Sequence, residues 1–123
     1  MTEQKSPKDQ AVPVPRYAFE AMSAYVPLDG DKVAVMLLLL MRMDCNRAVR
    51  IDTSVLPNFL TLHSERVDRA VSSLIKKGWV DSVDEYAMRH SILDCVVHPA
   101  FIHSDFDTLM MVLGARLTAV DVH

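Results

Sequence analysis

The clearest alternation of apolar and polar positions lies between residues 64 and 78. Apolar side chains recur there at the spacing i, i+3, i+4, i+7 and i+8, which places them on one face of an α-helix. They are Val67, Ala70, Val71, Leu74 and Ile75. Gly78 follows where a left-handed residue commonly ends a helix, and Lys76 and Lys77 suit the negative end of the helix dipole. The pattern predicts a helix over 64–77 with one buried face and one polar face.

Two more helices are predicted before this segment. Residues 16–25 combine three aromatic residues with alanines and a methionine, which is typical of a short packing helix that ends near Pro27. From Lys32 to about Asp44 the chain is apolar on nearly every side, so we expect a central, buried helix. Its uninterrupted apolar run over 33–41 is well short of the roughly 20 residues that cross a bilayer, so no membrane partner is expected.

A short strand and a short helix are predicted between the central helix and the helix over 64–77. Residues 48–52 alternate well enough for a strand. Ser54 is the expected cap of a helix over 55–60, because Pro57 then falls in the first turn, where proline is tolerated.

A hairpin and a last helix are predicted after Gly78. Residues 79–83 and 91–97 are expected to form two strands around an irregular tip at 84–89. The Ser104-Asp-Phe-Asp107 segment matches a helix-capping pattern and predicts a last helix that runs to about Val120.

The order of predicted elements is helix, strand, helix, helix, two-stranded hairpin, helix. It indicates an α+β fold, mainly α with a small β-wing, of the winged helix-turn-helix kind, in which the helix over 64–77 can lie in a DNA groove. Residues 1–15 are polar and proline-spaced, so we expect a flexible N-terminal arm there and a single domain over 16–123.

The last predicted helix, over about 104–120, carries a wider apolar stripe than one side of a small domain needs. Such a stripe on a terminal helix commonly marks a subunit interface, so we hypothesise a two-fold homodimer held by this helix against the helix over 16–25. The expected interface residues are Phe106, Leu109, Met110, Leu113 and Leu117. The alternative is that the helix folds back on the core of its own subunit.

Composition and charge limit the classes of partner. The chain has 123 residues, half of them apolar, which is enough for one domain to bury its own core. Its net charge of −3 is unlike that of a protein that coats nucleic acid. Positions 42–89 nevertheless hold eight basic and seven acidic residues, against five and nine elsewhere. These charges permit DNA binding, with weak off-target affinity and a modest dependence on salt.

The cysteines indicate the compartment. Cys45 and Cys95 lie far apart and form no C-x-x-C pattern, and the N-terminus shows no signal-peptide pattern. We therefore expect two buried, free thiols in a reducing cytoplasm.

No metal site, cofactor or catalytic group is expected from the residue pattern. His90, His98 and His103 lie near Cys95, but alternate side chains of a strand point to opposite faces, so these donors do not converge. The three glycines stand alone and no G-x-S-x-G pattern is present, so the protein is not expected to be an enzyme.

Residues 60–80 resemble the turn and recognition helix of winged-helix regulators of the multiple-antibiotic-resistance type. The resemblance lies in Leu60-x-Leu62-His63, Val67-x-Arg69-Ala70, Leu74 and Lys76-Lys-Gly-Trp-Val80. More loosely, residues 28–101 are similar to the small winged helices of the RepL kind that control plasmid and phage replication, in which the wing ends in a step like Val97-His-Pro-Ala-Phe101.

The first resemblance implies that polar residues near the start of the recognition helix face the major groove of DNA. They are Ser64, Glu65, Arg66, Asp68, Arg69 and Ser72. Arg69 is the expected base reader, because its guanidinium can bond guanine O6 and N7 together. The expected phosphate contacts are Thr61, Ser64, Lys76 and Arg89, and Arg89 with His90 would carry the wing into the minor groove.

Two further expectations depend on the same resemblance. Thr61 stands where the family favours glycine, and a β-branched residue resists positive φ, so the turn between the two helices is expected to be built differently. Dimers of this type often bind ligands between the dimer helices and the wing domains. The candidates to line such a cleft, or to fill the core instead, are Met22, Met36, Met41, Met110 and Met111.

The leading hypothesis is a homodimeric, sequence-specific double-stranded DNA-binding protein that regulates transcription, or controls the replication or maintenance of a plasmid or phage. The alternative is a winged-helix module that binds a protein partner and no DNA. The features that favour the alternative are the net negative charge, Glu65 and Asp68 on the reading face, and the wide apolar stripe of the terminal helix.

Overall fold

A computed structural model of the protein describes residues 12–81 and 84–114. Within these residues the chain forms six α-helices and a three-stranded sheet, so the fold is α+β and mainly helical. In chain order the elements are α1 (Arg16–Tyr25), α2 (Gly30–Arg42), β1 (Ala48–Asp52), α3 (Leu56–Leu60), α4 (Ser64–Lys76), β2 (Val80–Asp81), α5 (Glu85–Met88), β3 (Ile92–Val97) and α6 (Phe106–Leu113). Short 3-10 turns, Thr53–Val55 and Pro99–Phe101, precede α3 and α6.

The sheet has the strand order β1-β3-β2, and both pairings are antiparallel. Ile51 of β1 lies opposite Leu93 of β3, and Val80 of β2 lies opposite Val97. Leu93, Cys95 and Val97 are buried while the residues between them are half-buried, because successive side chains of a strand point to opposite faces. One face of the sheet therefore contributes to the core.

Helices α2 and α4 pack against each other at the centre of the molecule. Val35, Met36 and Leu39 of α2 are fully buried, which confirms the prediction of a central helix. The apolar stripe predicted on α4 is buried too, except for Ile75, which is half-buried. Gly78 closes the segment with φ +76°, as the sequence predicted.

One charged side chain is buried with the apolar residues of the described core. Lys32, in the first turn of α2, is 1% exposed. Its Nζ lies 4.0 Å from the centre of the Trp79 ring and 5.5 Å from that of Tyr25, where the aromatic faces attract the ammonium. Burial lowers the pKa of Lys32 from its ordinary value, and the nearby Asp29 carboxylate partly opposes that shift.

Helix α6 packs on α1 of the same chain. Leu109 and Leu113 are buried in the core, whereas Phe106 and Met111 are 36% and 56% exposed. Leu117 lies outside the described residues. Two of the residues expected at a dimer interface therefore complete the core of the subunit itself, and the homodimer stays a prediction.

The hydroxyl of Tyr17 joins α1 to the turn that precedes α6. It donates to the Ala100 carbonyl oxygen at 2.7 Å and accepts from the Ser104 backbone N–H at 2.7 Å. The hydroxyl thus acts as both donor and acceptor, and it joins segments more than 80 residues apart in the sequence.

Two helix caps differ from the prediction. Asp52, not Ser54, caps the turn before α3, and its Oδ1 accepts from the Ser54 N–H at 2.9 Å. Asp105, not Ser104, caps α6, and its Oδ1 accepts from the Thr108 N–H at 2.8 Å. In both places an aspartate lies within two residues of the predicted serine, and either side chain can accept a hydrogen bond from a backbone N–H of the first turn. Which of the two is the cap depends on the residue at which the helical turn begins.

The hairpin also differs from the prediction. Within the described residues, strand β2 spans Val80–Asp81, and the tip contains helix α5 instead of an irregular loop. Asp84 starts this helix, because its Oδ1 accepts from the N–H groups of Tyr86 and Ala87 at 3.0 and 3.2 Å. Residues 82 and 83, predicted to end the strand, lie outside the described residues.

The two cysteines occupy different environments. Cys95 is buried on β3 as expected, and burial, then Asp94 and Asp81, raise the pKa of its thiol to about 12. Cys45 is exposed, contrary to the prediction, because it lies in the turn between α2 and β1. None of the helices within the described ranges has the length and apolarity needed to cross a membrane.

Candidate nucleic-acid interface

The polar face of α4 lies open to solvent over its whole length. Val67, Ala70, Val71 and Leu74 hold the opposite face in the core, and Ser73 and Ile75 at its border are half-buried. All the residues predicted to face DNA from this helix are exposed: Ser64, Glu65, Arg66, Asp68, Arg69, Ser72 and Lys76. We call this surface the α4 polar face.

The turn that leads into α4 has the geometry that the sequence argued against. Thr61 adopts a left-handed conformation with φ +56° and ψ +48°. The Pro57 carbonyl accepts from the N–H of Thr61 and from that of Leu62, the latter at 3.0 Å. The expectation of a differently built turn was wrong, because these bonds hold the chain in a conformation that a β-branched residue disfavours.

Arg66 forms an ion pair with Asp31 of the same chain. Its Nε donates to Asp31 Oδ2 at 2.8 Å and its Nη2 to Asp31 Oδ1 at 2.6 Å, a bidentate pair between α4 and the first turn of α2. The hydrogen bond from Arg66 lowers the pKa of Asp31 below its ordinary value. The sequence placed Arg66 among the groove-facing residues and missed this pair, because the two partners are 35 positions apart.

Other basic residues of the 42–89 region are also paired. Arg50 of β1 bonds Asp94 of β3 at 2.8 Å on the exposed side of the sheet. Arg47 donates from Nη1 to the Val97 carbonyl at 2.5 Å. Among the described residues, the cations of this region that form no ion pair or side-chain hydrogen bond are Arg42, Arg69, Lys76, Lys77 and Arg89.

Two residues of the hairpin tip were predicted to reach DNA, and both are exposed. Arg89 and His90 follow α5 directly. The Nδ1 of His90 lies 3.1 Å from the Tyr86 carbonyl oxygen, and the two rings lie 4.8 Å apart. Tyr86 is 68% exposed, and sequence reasoning missed it because the tip was predicted to be irregular.

The surface has a shallow depression at the entry to α4. It measures about 410 Å³ and opens widely to solvent. Its walls are Pro57, Asn58, Thr61, Leu62, His63 and Arg66. Thr61 and Arg66 of the predicted set are therefore brought together here, at the start of the α4 polar face.

A second, narrower cavity of about 240 Å³ lies beside the same helix. It is lined by Thr53, Asp68, Val71, Ser72, Ile75 and Met88. None of the five methionines proposed to line a cleft is among these residues. Met22 and Met36 are buried in the core, where they act as filler, and Met41 is exposed.

Within 12–81 and 84–114, no three His, Cys, Asp or Glu side chains come together as a metal site requires. No family model, no curated protein and no solved structure matches the chain. The α4 polar face, the tip of the hairpin and their charges are therefore the basis for assigning a function.

Proposed function

We propose that the protein is a sequence-specific double-stranded DNA-binding protein with a winged-helix fold. It would act as a homodimer in the control of transcription, or of the replication or maintenance of a plasmid or phage. The observation that carries the proposal is the exposure of the α4 polar face, since a helix that reads DNA must offer an uncovered polar side to the major groove. The order α2, β1, α3, α4, β2, β3 supports it as well.

Arg69 is the base reader in this proposal. It is exposed at the middle of α4 and forms no ion pair with any described residue, so its guanidinium is available for guanine O6 and N7. Arg66 has a different role in the proposal, because its Nε and Nη2 are bonded to Asp31. It fixes the start of α4 relative to α2.

Phosphate contacts would flank this reader on both sides. Thr61 and Ser64 lie at the entry to α4, and Lys76 lies in its last turn. Arg89 lies at the tip of the hairpin. Such contacts position a protein on the duplex without selecting a sequence.

A dimer would present two copies of α4 to successive major grooves about 34 Å apart. Exposed apolar side chains of α6, Phe106 and Met111, are the described residues available to support it. Leu109 and Leu113 contribute indirectly, since they hold α6 on the core.

A mobility-shift assay tests the proposal. The probes are the DNA upstream of the protein's own gene and a random-sequence duplex of equal length, each at about 50 mM salt, where phosphate attraction is strong. We expect retention of the upstream fragment that an excess of the random duplex does not remove. Equal competition by the random duplex, or no retention of either, would contradict specific binding.

The second candidate function is a protein-binding module that does not bind DNA. Two observations favour it: Glu65 and Asp68 place negative charge on the α4 polar face, and Phe59 on the neighbouring α3 is 60% exposed. A Phe59→Ser variant separates the two functions. A stoichiometric, nuclease-resistant protein complex that the wild type forms and Phe59→Ser loses, together with no retention of DNA by the wild type, would favour the module.

A further inference from the structure

The cavity of about 240 Å³ lies between three elements: α4, the 3-10 turn before α3, and α5. Helix α4 lines the cavity with two adjacent rows of side chains. Val71 and Ile75 form the apolar row, and Asp68 and Ser72 form the polar row, each pair being four residues apart and therefore on one face. The cavity is thus apolar at its base and polar along one edge.

Met88 and Thr53 close the other sides. Met88, half-buried at the end of α5, adds an adaptable apolar wall. Thr53 adds a hydroxyl oxygen that can accept a hydrogen bond, since the hydroxyl donates its own hydrogen to the Ser91 carbonyl oxygen at 3.1 Å. This combination of an apolar interior with a few polar groups is the usual make-up of a small-molecule site. At about 240 Å³ the cavity is smaller than drug-sized pockets, so its occupant is a compact molecule.

The charge at the edge selects the kind of molecule. Asp68 is exposed and forms no ion pair with any residue that the structure describes. Its carboxylate repels the phosphates of DNA and attracts a cation. A second acid or a phosphate group in the cavity would meet the same repulsion.

We infer that this cavity binds a small organic ammonium ion, with an apolar body against Val71, Ile75 and Met88 and its charged nitrogen toward Asp68. Since Asp68 and Ser72 also belong to the α4 polar face, a bound ammonium covers part of the surface that would meet DNA. This effect on DNA rests on the proposed function, whereas binding of the ammonium does not.

Three probes of similar size and different charge test the assignment: phenethylammonium, 2-phenylethanol and phenylacetate. Each is titrated into the full-length protein while amide chemical shifts are followed by NMR. We expect shifts centred on residues 68–75 and 88, with the ammonium binding tightest and phenylacetate weakest. The step from ammonium to alcohol should be about two- to fivefold, as for an exposed charge pair.

Two variants make the test specific. Asp68→Asn should bring the affinity for the ammonium down to that for the alcohol and leave the alcohol's affinity unchanged. Met88→Trp should fill the cavity and weaken all three probes alike. Equal affinity for the three probes in the wild type, or shifts centred on another part of the molecule, would overturn the assignment.

The competition assay separates this inference from the proposed function. The ammonium should weaken retention of the specific duplex by the wild type and have less effect on Asp68→Asn at equal starting retention. If no duplex is retained but the shifts still locate at the cavity, DNA binding fails and the ligand site stands. If the duplex is retained and no probe binds, the ligand site alone fails.

Discussion

The Nζ of Lys32 lies 4.0 Å from the centre of the Trp79 ring, and both side chains are buried. The ammonium lies over the face of the indole, whose buried Nε1 has no hydrogen-bond partner among the residues that the structure describes. Attraction by the ring offsets part of the cost of burying the ammonium, but burial still lowers the pKa of Lys32.

Replacing Lys32 with methionine should therefore stabilise the protein at neutral pH. The unfolded chain holds the lysine proton more tightly than the folded one, so protonation favours unfolding as the pH falls below the ordinary value of 10.5. The Lys32→Met variant should unfold at a higher urea concentration than the wild type at neutral pH, and the difference should shrink as the pH approaches 10.5. Lys76→Met, an exposed change on α4, serves as the control and should hardly move the midpoint. A lower midpoint for Lys32→Met that does not vary with pH would contradict this account.

The hydroxyl of Tyr17 should contribute measurably to stability. Its loss in Tyr17→Phe leaves the Ala100 carbonyl and the Ser104 N–H without their partner, which should cost about 1–3 kcal/mol in the free energy of unfolding. Tyr86→Phe removes a hydroxyl from a largely exposed ring and should cost almost nothing. Urea denaturation of both variants measures the difference, and equal effects would show that the Tyr17 bridge is unimportant.

Substituting glycine for Thr61 should stabilise the protein slightly. Glycine avoids the cost of about 1–2 kcal/mol that a side chain meets in the left-handed conformation, while its greater freedom in the unfolded chain costs about half as much. A gain of about 0.5–1 kcal/mol is therefore expected in urea denaturation. Thr108→Gly, inside α6, should instead lose a few tenths of a kcal/mol, because threonine is itself a weak helix former. A loss at Thr61 as large as that at Thr108 would argue against strain in this turn.

Changes on the α4 polar face should separate sequence selection from general attraction. Arg69→Ala should reduce the preference for the specific duplex by about 1–3 kcal/mol, because a bidentate base contact is lost. Lys76→Ala should weaken binding to all duplexes alike. It should also reduce the slope of the logarithm of the binding constant against the logarithm of the salt concentration by about one. Arg50→Ala, on the far strand β1, is the matched control and should change neither quantity. Mobility shifts over a range of salt concentrations measure all three, and an unchanged preference in Arg69→Ala would remove Arg69 as the reader.

Helices α1 to α4 were well predicted because burial repeats within a short stretch of sequence. Helix α5 was missed, and the last helix, predicted to run to about Val120, ends at Leu113, where Gly114 adopts a left-handed conformation. The apolar stripe of α4 and the nearly all-apolar α2 define their own buried faces. Alternation predicted the strand over 48–52, but its pairing with β3 was not predicted. Local propensity could not place the caps exactly, since Asp52 and Ser54 are both good caps, as are Ser104 and Asp105. Which residue of each pair is the cap depends on the position at which the helical turn begins, and local propensity does not fix that position.

Contacts between distant segments were beyond the reach of pattern analysis. The Arg66–Asp31 pair, the burial of Lys32 and the Tyr17 bridge each join residues that no periodicity relates. The same is true of the cavity beside α4, which needs three elements to form. Exposure of the α4 polar face, by contrast, followed directly from the burial of its opposite side.

The Arg66–Asp31 pair has a mechanical consequence. Two parallel bonds fix the mutual orientation of the guanidinium and the carboxylate better than one, so the pair couples the start of α4 to the first turn of α2. Arg69 lies about one turn after Arg66 on α4. A molecule that binds the first turn of α2 and displaces Asp31 from Arg66 would therefore change the contacts that support the helix carrying Arg69.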